Sequence, residues 1–136
     1  MTETQSKALI QKVDCIRLYV ADLEQGLVFY QDKLGLELIW RTEQAGGLRL
    51  SDDETEVVLH TEPQPPEIDL KVESADQAAR QLEQAGGTVV VPPFDIQIGR
   101  CVVVQDPWGN ELVLLDATKG LLVTDEQGYV TGTTGA

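Results

Sequence analysis

An internal repeat constrains this chain more than any other feature of its sequence. Residues 15–22, CIRLYVAD, match residues 67–74, EIDLKVES, at an offset of 52 positions. The apolar residues coincide in the two segments: Ile16, Leu18 and Val20 in the first, and Ile68, Leu70 and Val72 in the second. Such alternation of apolar and polar residues is typical of a strand with one buried face. A repeat with a period of about 50 residues predicts two similar modules in one chain.

A helical pattern follows each of the two repeated strands. The first helix is expected between an N-cap at Asp22 and a stop at Gly35, and the second between Ser74 and Gly86. Apolar residues recur at the spacing of one helical face. In the first helix they are Leu23, Leu27, Tyr30 and Leu34, and in the second Ala75, Ala78, Ala79, Leu82 and Ala85.

Each helix leads into three further strand-like segments. They are expected at 36–42, 47–51 and 55–61 after the first helix, and at 88–93, 98–105 and 110–115 after the second. A helical crossover between the first two strands of each unit requires a mixed sheet. The predicted fold is therefore α+β, with two βαβββ modules that form curved mixed sheets around a trough, plus a short C-terminal hairpin.

The predicted organisation is a single structural domain, because 136 residues is an ordinary size for one compact unit. Residues 1–12 are expected to be a flexible N-terminus, 13–62 the first module and 67–116 the second. Residues 117–136 differ in pattern and are expected to form a C-terminal hairpin extension and tail.

Charge and apolar runs restrict the possible partners. The net charge is −13, which argues against nucleic acid and anionic membrane surfaces, because both need clustered Lys and Arg. No apolar run approaches the roughly 20 residues that span a bilayer, and the N-terminus lacks a signal-peptide pattern. We therefore expect a cytoplasmic protein that binds a small molecule. In that compartment Cys15 and Cys101 are expected to be reduced, buried and unreactive.

Alternation along the strands predicts which side chains line the trough. Polar and apolar residues from four strands of both modules converge there, which favours a ligand site over a merely wet sheet face. These residues are Cys15, Arg17, Tyr19, His60, Glu67, Asp69, Lys71, Glu111, Val113 and Leu115.

Aromatic and apolar residues outside those strands add to the predicted site. Trp40, at the end of the second strand, is expected to form a pocket wall. Residues 91–100, VPPFDIQIGR, are interpreted as a loop that covers the pocket with Phe94 and Ile96, the alternative being a surface connection. Trp108 is expected to pack within the turn between the last two strands.

Two segments give the chain a family resemblance. VADLEQGLVFYQDKLGLEL at 20–38 and IGRCVVVQDPWGNELVLLD at 98–116 resemble the opening and closing motifs of the vicinal oxygen chelate superfamily. This superfamily includes glyoxalase I, extradiol dioxygenases and bleomycin-resistance proteins. The resemblance runs over roughly 13–116 and is specific for a fold, while the superfamily hosts many chemistries.

The resemblance implies a metal held by side chains from the first and last strands of each module. Position by position, these ligands fall on Cys15, on His60 or Val58 depending on the gap, on Glu67 and on Val113. Valine cannot bind a metal, and thiolate is unusual at this site. Two or three weak candidates, Cys15, His60 and Glu67, remain where a catalytic site normally has three protein ligands.

Three functional interpretations remain open. The favoured one is a small-molecule binder without the family metal, similar to the bleomycin-resistance branch. The alternative is a glyoxalase-type lyase or dioxygenase that uses Zn, Ni, Fe or Mn, or that uses His60 and Glu67 as an acid–base pair. The third is a partner-binding module without pocket chemistry. The resemblance also implies a homodimer.

Overall fold

The computed structural model describes residues 8–51 and 54–135. Residues 1–7 of the predicted flexible N-terminus and residues 52–53 of the predicted turn between the third and fourth strands lie outside the described residues. The first module consists of β1 (Lys12–Tyr19), α1 (Leu23–Leu27), a π-helix (Val28–Lys33), β2 (Glu37–Arg41), β3 (Ala45–Arg49) and β4 (Glu56–His60). The second consists of β5 (Glu67–Lys71), α2 (Ala75–Gln84), β6 (Thr88–Asp95), β7 (Arg100–Gln105) and β8 (Glu111–Leu115).

The two modules share one eight-stranded mixed sheet. Its strand order is β2-β3-β4-β1-β5-β8-β7-β6. Within each module the first strand pairs in parallel with the last, and the modules join where β1 and β5 pair antiparallel. This arrangement confirms the predicted α+β fold with two βαβββ modules.

Two apolar clusters hold the helices against one face of the sheet. The predicted inward residues of β4, Val57 and Leu59, pack with α1, and those of β8, Leu112 and Leu114, pack with α2. The predicted caps are also correct, because Asp22 accepts a hydrogen bond from the amide of Gln25 and Ser74 from that of Gln77. The opposite face of the sheet is therefore left for the trough.

Three residues predicted to face the core do not. Leu34 is 54% exposed because the first helix continues as a π-helix, whose wider turn moves later residues off the apolar stripe. Ala85 is exposed because α2 ends at Gln84. Ile68 is 55% exposed because it pairs with Ile16 at the junction of the modules, outside both clusters.

The segment interpreted as a covering loop is also different. β6 continues to Asp95, so Phe94 lies in a strand and only residues 96–99 form a turn. Pro92 and Pro93 are tolerated because β6 is an outer strand, which pairs on one side only, and because its register shifts on both sides of Val91.

The predicted C-terminal hairpin is present as β9 (Leu122–Thr124) and β10 (Val130–Thr133). It contacts both ends of the sheet. The amide of Arg41 in β2 donates to the carbonyl of Gly128, and the guanidinium lies 4.8 Å from the centre of the Tyr129 ring. At the other end, the hydroxyl of Thr133 donates to the carbonyl of Gln97, just after β6.

These contacts require a curved sheet. Tyr129 and Thr133 are separated by at most about 14 Å along an extended chain. In a flat eight-stranded sheet, the outer strands β2 and β6 would be about 34 Å apart. The sheet therefore bends its outer strands towards each other around the trough, as the sequence predicts.

Among the described residues, the helices are too short and too polar for any of them to cross a membrane.

Candidate functional site

Strand register places the predicted site residues on the trough face. Arg17 of β1 lies opposite Val58 of β4 on one side and Glu67 of β5 on the other. Two residues along β1 in either direction, Cys15 pairs with Asp69, and Tyr19 pairs with His60. Because paired residues point to the same face of a sheet, the two modules contribute side chains to one surface.

The middle of the trough is filled by its own side chains. Cys15, Val58, Asp69 and Leu115 are all buried, although the two helices pack against the opposite face of the sheet. The Cys15 thiol donates to Oδ2 of Asp69 at 3.4 Å, and Oδ1 of Asp69 has no hydrogen-bond partner among the described residues. Burial and the nearby Glu67 carboxylate raise the pKa of Asp69 to about 8. Asp69 therefore holds a proton at neutral pH.

Both cysteines are buried and unpaired, as the sequence predicts. Burial, reinforced by the Asp69 carboxylate, raises the pKa of the Cys15 thiol far above its ordinary value. The same two causes raise the pKa of Cys101 to about 11. Because the thiolate is the reactive form, neither residue is suited to be a nucleophile.

A cavity of about 440 Å³ opens at the first-module end of the trough. We refer to it as the His60 cavity. Its lining comes from β1, from residues 42–45 before and within β3, and from the end of β4 with the segment that follows. The residues are Arg17, Thr42, Gln44, Ala45, His60, Thr61, Glu62 and Pro63.

His60 brings an unsatisfied hydrogen-bond donor to this cavity. The residue is only 4% exposed. Its Nδ1 accepts from the backbone amide of Glu62 at 3.3 Å, which leaves the proton of the neutral ring on Nε2. That Nε2 is buried and has no partner among the described residues. Burial and the Arg17 guanidinium lower the pKa of His60, so the ring is neutral at pH 7.

Arg17 is the cation of the His60 cavity. Its Nε lies 3.8 Å from a carboxylate oxygen of Glu67, whose other oxygen accepts from the Gln64 amide at 3.1 Å. No other partner of the Arg17 guanidinium occurs in the described part of the chain. Glu67 is therefore engaged by two groups, while the terminal nitrogens of Arg17 are available to a ligand.

Trp40 forms a wall of the trough. Its indole Nε1 donates to the Glu56 carboxylate at 2.8 Å. The ring lies directly over Gly47, where any Cβ would overlap the indole. A glycine at this position is what allows the indole to lie flat on the sheet.

The donor set does not fit the metal of the superfamily. Arg17 and Asp69 are equivalent in the repeat, and they pair with Val58 and Val113 respectively. The fourth-strand ligand position is therefore Val58, and both last-strand positions are valines. Of the two remaining positions, the Cys15 thiol is protonated and Glu67 is engaged. No group of three or more His, Cys, Asp or Glu side chains among residues 8–51 and 54–135 could hold a metal ion.

Other predicted site residues are dispersed. Lys71 and Phe94 face the trough at its second-module end. Lys71 pairs with Leu115, which pairs on its other side with Cys101, and Cys101 pairs with Phe94. Ile96 lies half-buried in the turn after β6. Tyr19 and Glu111 are on the trough face but exposed. The structure thus brings together Arg17, His60 and Glu67, with Tyr19 paired to His60 but exposed.

Asp106 and Asp116, which directly follow β7 and β8, are structural. Asp106 accepts from the amides of Trp108 and Asn110, which closes the turn. Trp108 itself is 83% exposed, so the prediction that it packs there is wrong. Asp116 is buried, and despite the opposing effect of burial, hydrogen bonds from Ala75, Arg100 and Thr118 hold its pKa below the ordinary value.

Sequence reasoning missed the loop residues of the His60 cavity. Thr42 and Gln44 precede β3, and Thr61 to Pro63 follow β4. The proline-rich segment after β4, beside the single histidine of the sequence, is a signal that could have identified them. A larger cavity of about 690 Å³, lined by residues 34–37 and 49–51, has no buried polar atom without a partner among those residues.

The fold and trough together define the class of protein. Paired βαβββ modules around a trough are the architecture of the vicinal oxygen chelate fold. Residues 12–114 match the model of the Glyoxalase/Bleomycin resistance protein/Dioxygenase superfamily. The chain belongs to this superfamily, as its sequence motifs indicate.

Solved structures share the fold at low sequence identity. Methylmalonyl-CoA epimerase from Mycobacterium tuberculosis is similar with a TM-score of 0.69 and 18% identity, over 83% of this chain and 92% of that one. The Mn(II)-bound glyoxalase from Novosphingobium aromaticivorans gives 0.58 and 20%, over 80% and 40%. The H200Q variant of homoprotocatechuate 2,3-dioxygenase from B. fuscum gives 0.59 and 24%, over 80% and 33%. No curated protein matches the chain.

Proposed function

We propose that the protein binds a small molecule in the His60 cavity without the metal of its superfamily. One observation carries this proposal: His60 lines the cavity, and its buried Nε2–H has no partner among the described residues. An unpaired buried donor costs about 1–3 kcal/mol of stability. A ligand with a hydrogen-bond acceptor would supply the missing partner and recover that cost.

The cavity has the other properties of a ligand site. Its volume lies within the range of about 300–1,000 Å³ that is usual for small-molecule pockets. Its lining combines the Arg17 guanidinium with hydroxyl and amide groups from Thr42 and Gln44. Such a small number of placed polar groups orients a ligand without a metal.

A fragment screen in EDTA tests this proposal. Backbone and ring resonances of the protein, produced without a histidine tag, would be followed as neutral, anionic and cationic fragments are added. We expect the binding fragments to shift the His60 ring together with residues of the 42–45 and 61–63 loops. If no fragment perturbs these signals, or all fragments bind elsewhere, the cavity is not a binding site.

A metal-dependent lyase or dioxygenase with a remodelled site is the competing function. In that case Zn, Ni, Fe or Mn would be held by Cys15, His60 or Glu67, or His60 and Glu67 would act as an acid–base pair. Elemental analysis of protein purified without chelator or nickel resin separates the two. We expect less than one-tenth of an equivalent of any of these metals, and a stoichiometric metal that is lost in His60→Ala would overturn our proposal.

We also propose a cytoplasmic homodimer. The outer strand β6 exposes Val90, Val91 and Phe94, an apolar strip that a second copy would cover. Light scattering of the purified protein should give twice the mass of 14.9 kDa. A monomer at all concentrations would contradict this part of the proposal and leave the ligand site unaffected, because the lining of the His60 cavity comes from the first module and its joint to the second.

A further inference from the structure

We propose that the ligand of the His60 cavity is a small organic acid whose carboxylate is bound by the Nε2–H of His60 and the guanidinium of Arg17. This inference rests on the proposed function, since it names the chemical class that the same cavity takes. It follows from the direction of the hydrogen bonds, the shape of the cation and the position of the neighbouring acids.

The histidine can only donate to a ligand. Its Nδ1 is occupied by the amide of Glu62, so the lone pair of the ring is not available to the cavity. Its Nε2–H is buried and unpaired. A ligand ammonium or amide N–H group would meet another donor at this point, whereas a carboxylate oxygen would accept.

The arginine supplies a matching shape. Arg17 lies two residues before Tyr19, which pairs with His60. The side chains of Arg17 and His60 therefore reach the same cavity from neighbouring strands. Its contact with Glu67 uses Nε at 3.8 Å and leaves the two terminal nitrogens to other partners. The planar fork of a guanidinium fits the two oxygens of a carboxylate.

The acidic residues near the cavity do not cancel its preference for a carboxylate ligand. Glu67 is held by Arg17 and by the Gln64 amide, so its charge is compensated. Glu62 lines the cavity with an exposed side chain and is the one acid expected to repel a carboxylate ligand. Removal of the Glu62 charge should therefore strengthen the binding of a carboxylate ligand and leave the binding of a neutral ligand unchanged.

Matched acid and amide pairs test the assignment. Binding of acetate, benzoate, phenylacetate and succinate would be measured by calorimetry in EDTA, beside acetamide, benzamide, phenylacetamide and succinamide. We expect at least one acid to bind ten or more times more tightly than its amide. His60→Leu and Arg17→Met should each weaken that acid at least tenfold, while Arg80→Ala, an exposed control on α2, should leave it unchanged.

The Glu62→Gln variant should increase the affinity for the acid. Because Glu62 is exposed, this change should not disturb folding, and we expect it to tighten the acid two- to fivefold without affecting the amide. If acids and amides bind equally in a His60-dependent manner, the acid assignment is wrong and the proposed cavity stands. If no acid binds, or if Glu62→Gln has no effect on the acid that binds, the assignment also fails. If fragments of every charge leave His60 unperturbed, both proposals fail together.

Discussion

The two modules share a backbone plan but differ at the residues that matter for binding. Tyr19 and Lys71 occupy equivalent positions of the repeat, and they pair with His60 and Leu115 respectively. The buried donor of the first module is therefore replaced by an apolar side chain in the second. The two ends of the trough therefore differ in polarity although their backbones are alike.

The central positions differ in the same way. Arg17 of the first module corresponds to Asp69 of the second. Arg17 is a cation that lines a cavity, whereas Asp69 is a buried acid that keeps its proton. The module that we propose binds the ligand is thus the one with a charged group in reach of solvent. The module without the cavity has closed its part of the trough with Cys101 and Leu115.

The sharpest difference in stability is expected at the strand ends. The Asp116 side chain accepts hydrogen bonds from Ala75, Arg100 and Thr118, while the hydroxyl of its equivalent in the first module, Thr61, makes a single long bond to Gln44. Asp116→Ala should lower the free energy of unfolding by about 3 kcal/mol because it leaves buried amides unpaired. Thr61→Ala should cost less than about 1 kcal/mol. Urea unfolding measures both, and equal losses would contradict the comparison.

The protonated Asp69 should make stability depend on pH. Its pKa rises from 3.8 in the unfolded chain to about 8 in the folded protein. Between these values the folded state keeps a proton that the unfolded chain releases, so stability falls as the pH rises through this window. Asp69→Asn stays neutral and should be more stable than the wild type by several kcal/mol at pH 9, with little difference near pH 4.

Urea unfolding at pH 4, 6, 7.5 and 9 checks this prediction. Glu67→Gln serves as the control, because it removes the neighbouring charge that raises the pKa of Asp69, and it should make the loss of stability smaller and complete at a lower pH. Parallel curves for wild type and Asp69→Asn would mean that Asp69 is ionised in the folded protein.

The sequence predicted the frame and its faces because both follow from local patterns. Alternation in the repeated strands assigned Leu18 and Leu70 to the helices and Arg17 and Asp69 to the trough. It left open whether Val58 or His60 matches Val113, because that choice depends on where a gap falls between strands. Only the paired register of β1 with β4 resolves it.

Features that depend on distant contacts could not be predicted. The π-helical turn that exposes Leu34 has no sequence signal of its own, and the side chains that close the middle of the trough are brought together by curvature. The contacts of the hairpin with Arg41 and Gln97 join residues far apart in the chain. The His60 cavity likewise depends on two loops that meet only in the folded protein.

Gly47 tests the wall of the trough. Its equivalent in the second module is Val103, because Gly47 pairs with Val58 and Val103 pairs with Val113, which is the equivalent of Val58. Gly47→Ala would displace the Trp40 indole and break its bond to Glu56, at a cost of about 1.5 kcal/mol and with a red shift of Trp40 emission. The measurement is made in a Trp108→Phe background, so that Trp40 is the only tryptophan that contributes to the emission.

The double variant Gly47→Ala/Trp40→Ala is the control for that prediction. The two losses should be less than additive if the clash is between these side chains. Fully additive losses would place the effect of Gly47 in the backbone instead.

His60→Leu makes the first module like the second, and its effect on stability should be the smallest. Because the variant removes an unpaired buried donor and fills the same space, we expect it to raise the free energy of unfolding by about 1 kcal/mol while it abolishes binding. Because the variant also removes the bond from the Glu62 amide to Nδ1, only a loss of more than about 2 kcal/mol would show that Nε2 has a structural partner.

The protonation state of the only histidine tests the central claim most directly. Nitrogen chemical shifts of the His60 ring at pH 7, in protein without a histidine tag, report which nitrogen carries the proton. We expect a neutral ring with the proton on Nε2, a saturable change when an acid that binds is added, and no change with one equivalent of zinc. A proton on Nδ1, or a saturating change with zinc and none with any acid, would contradict the account.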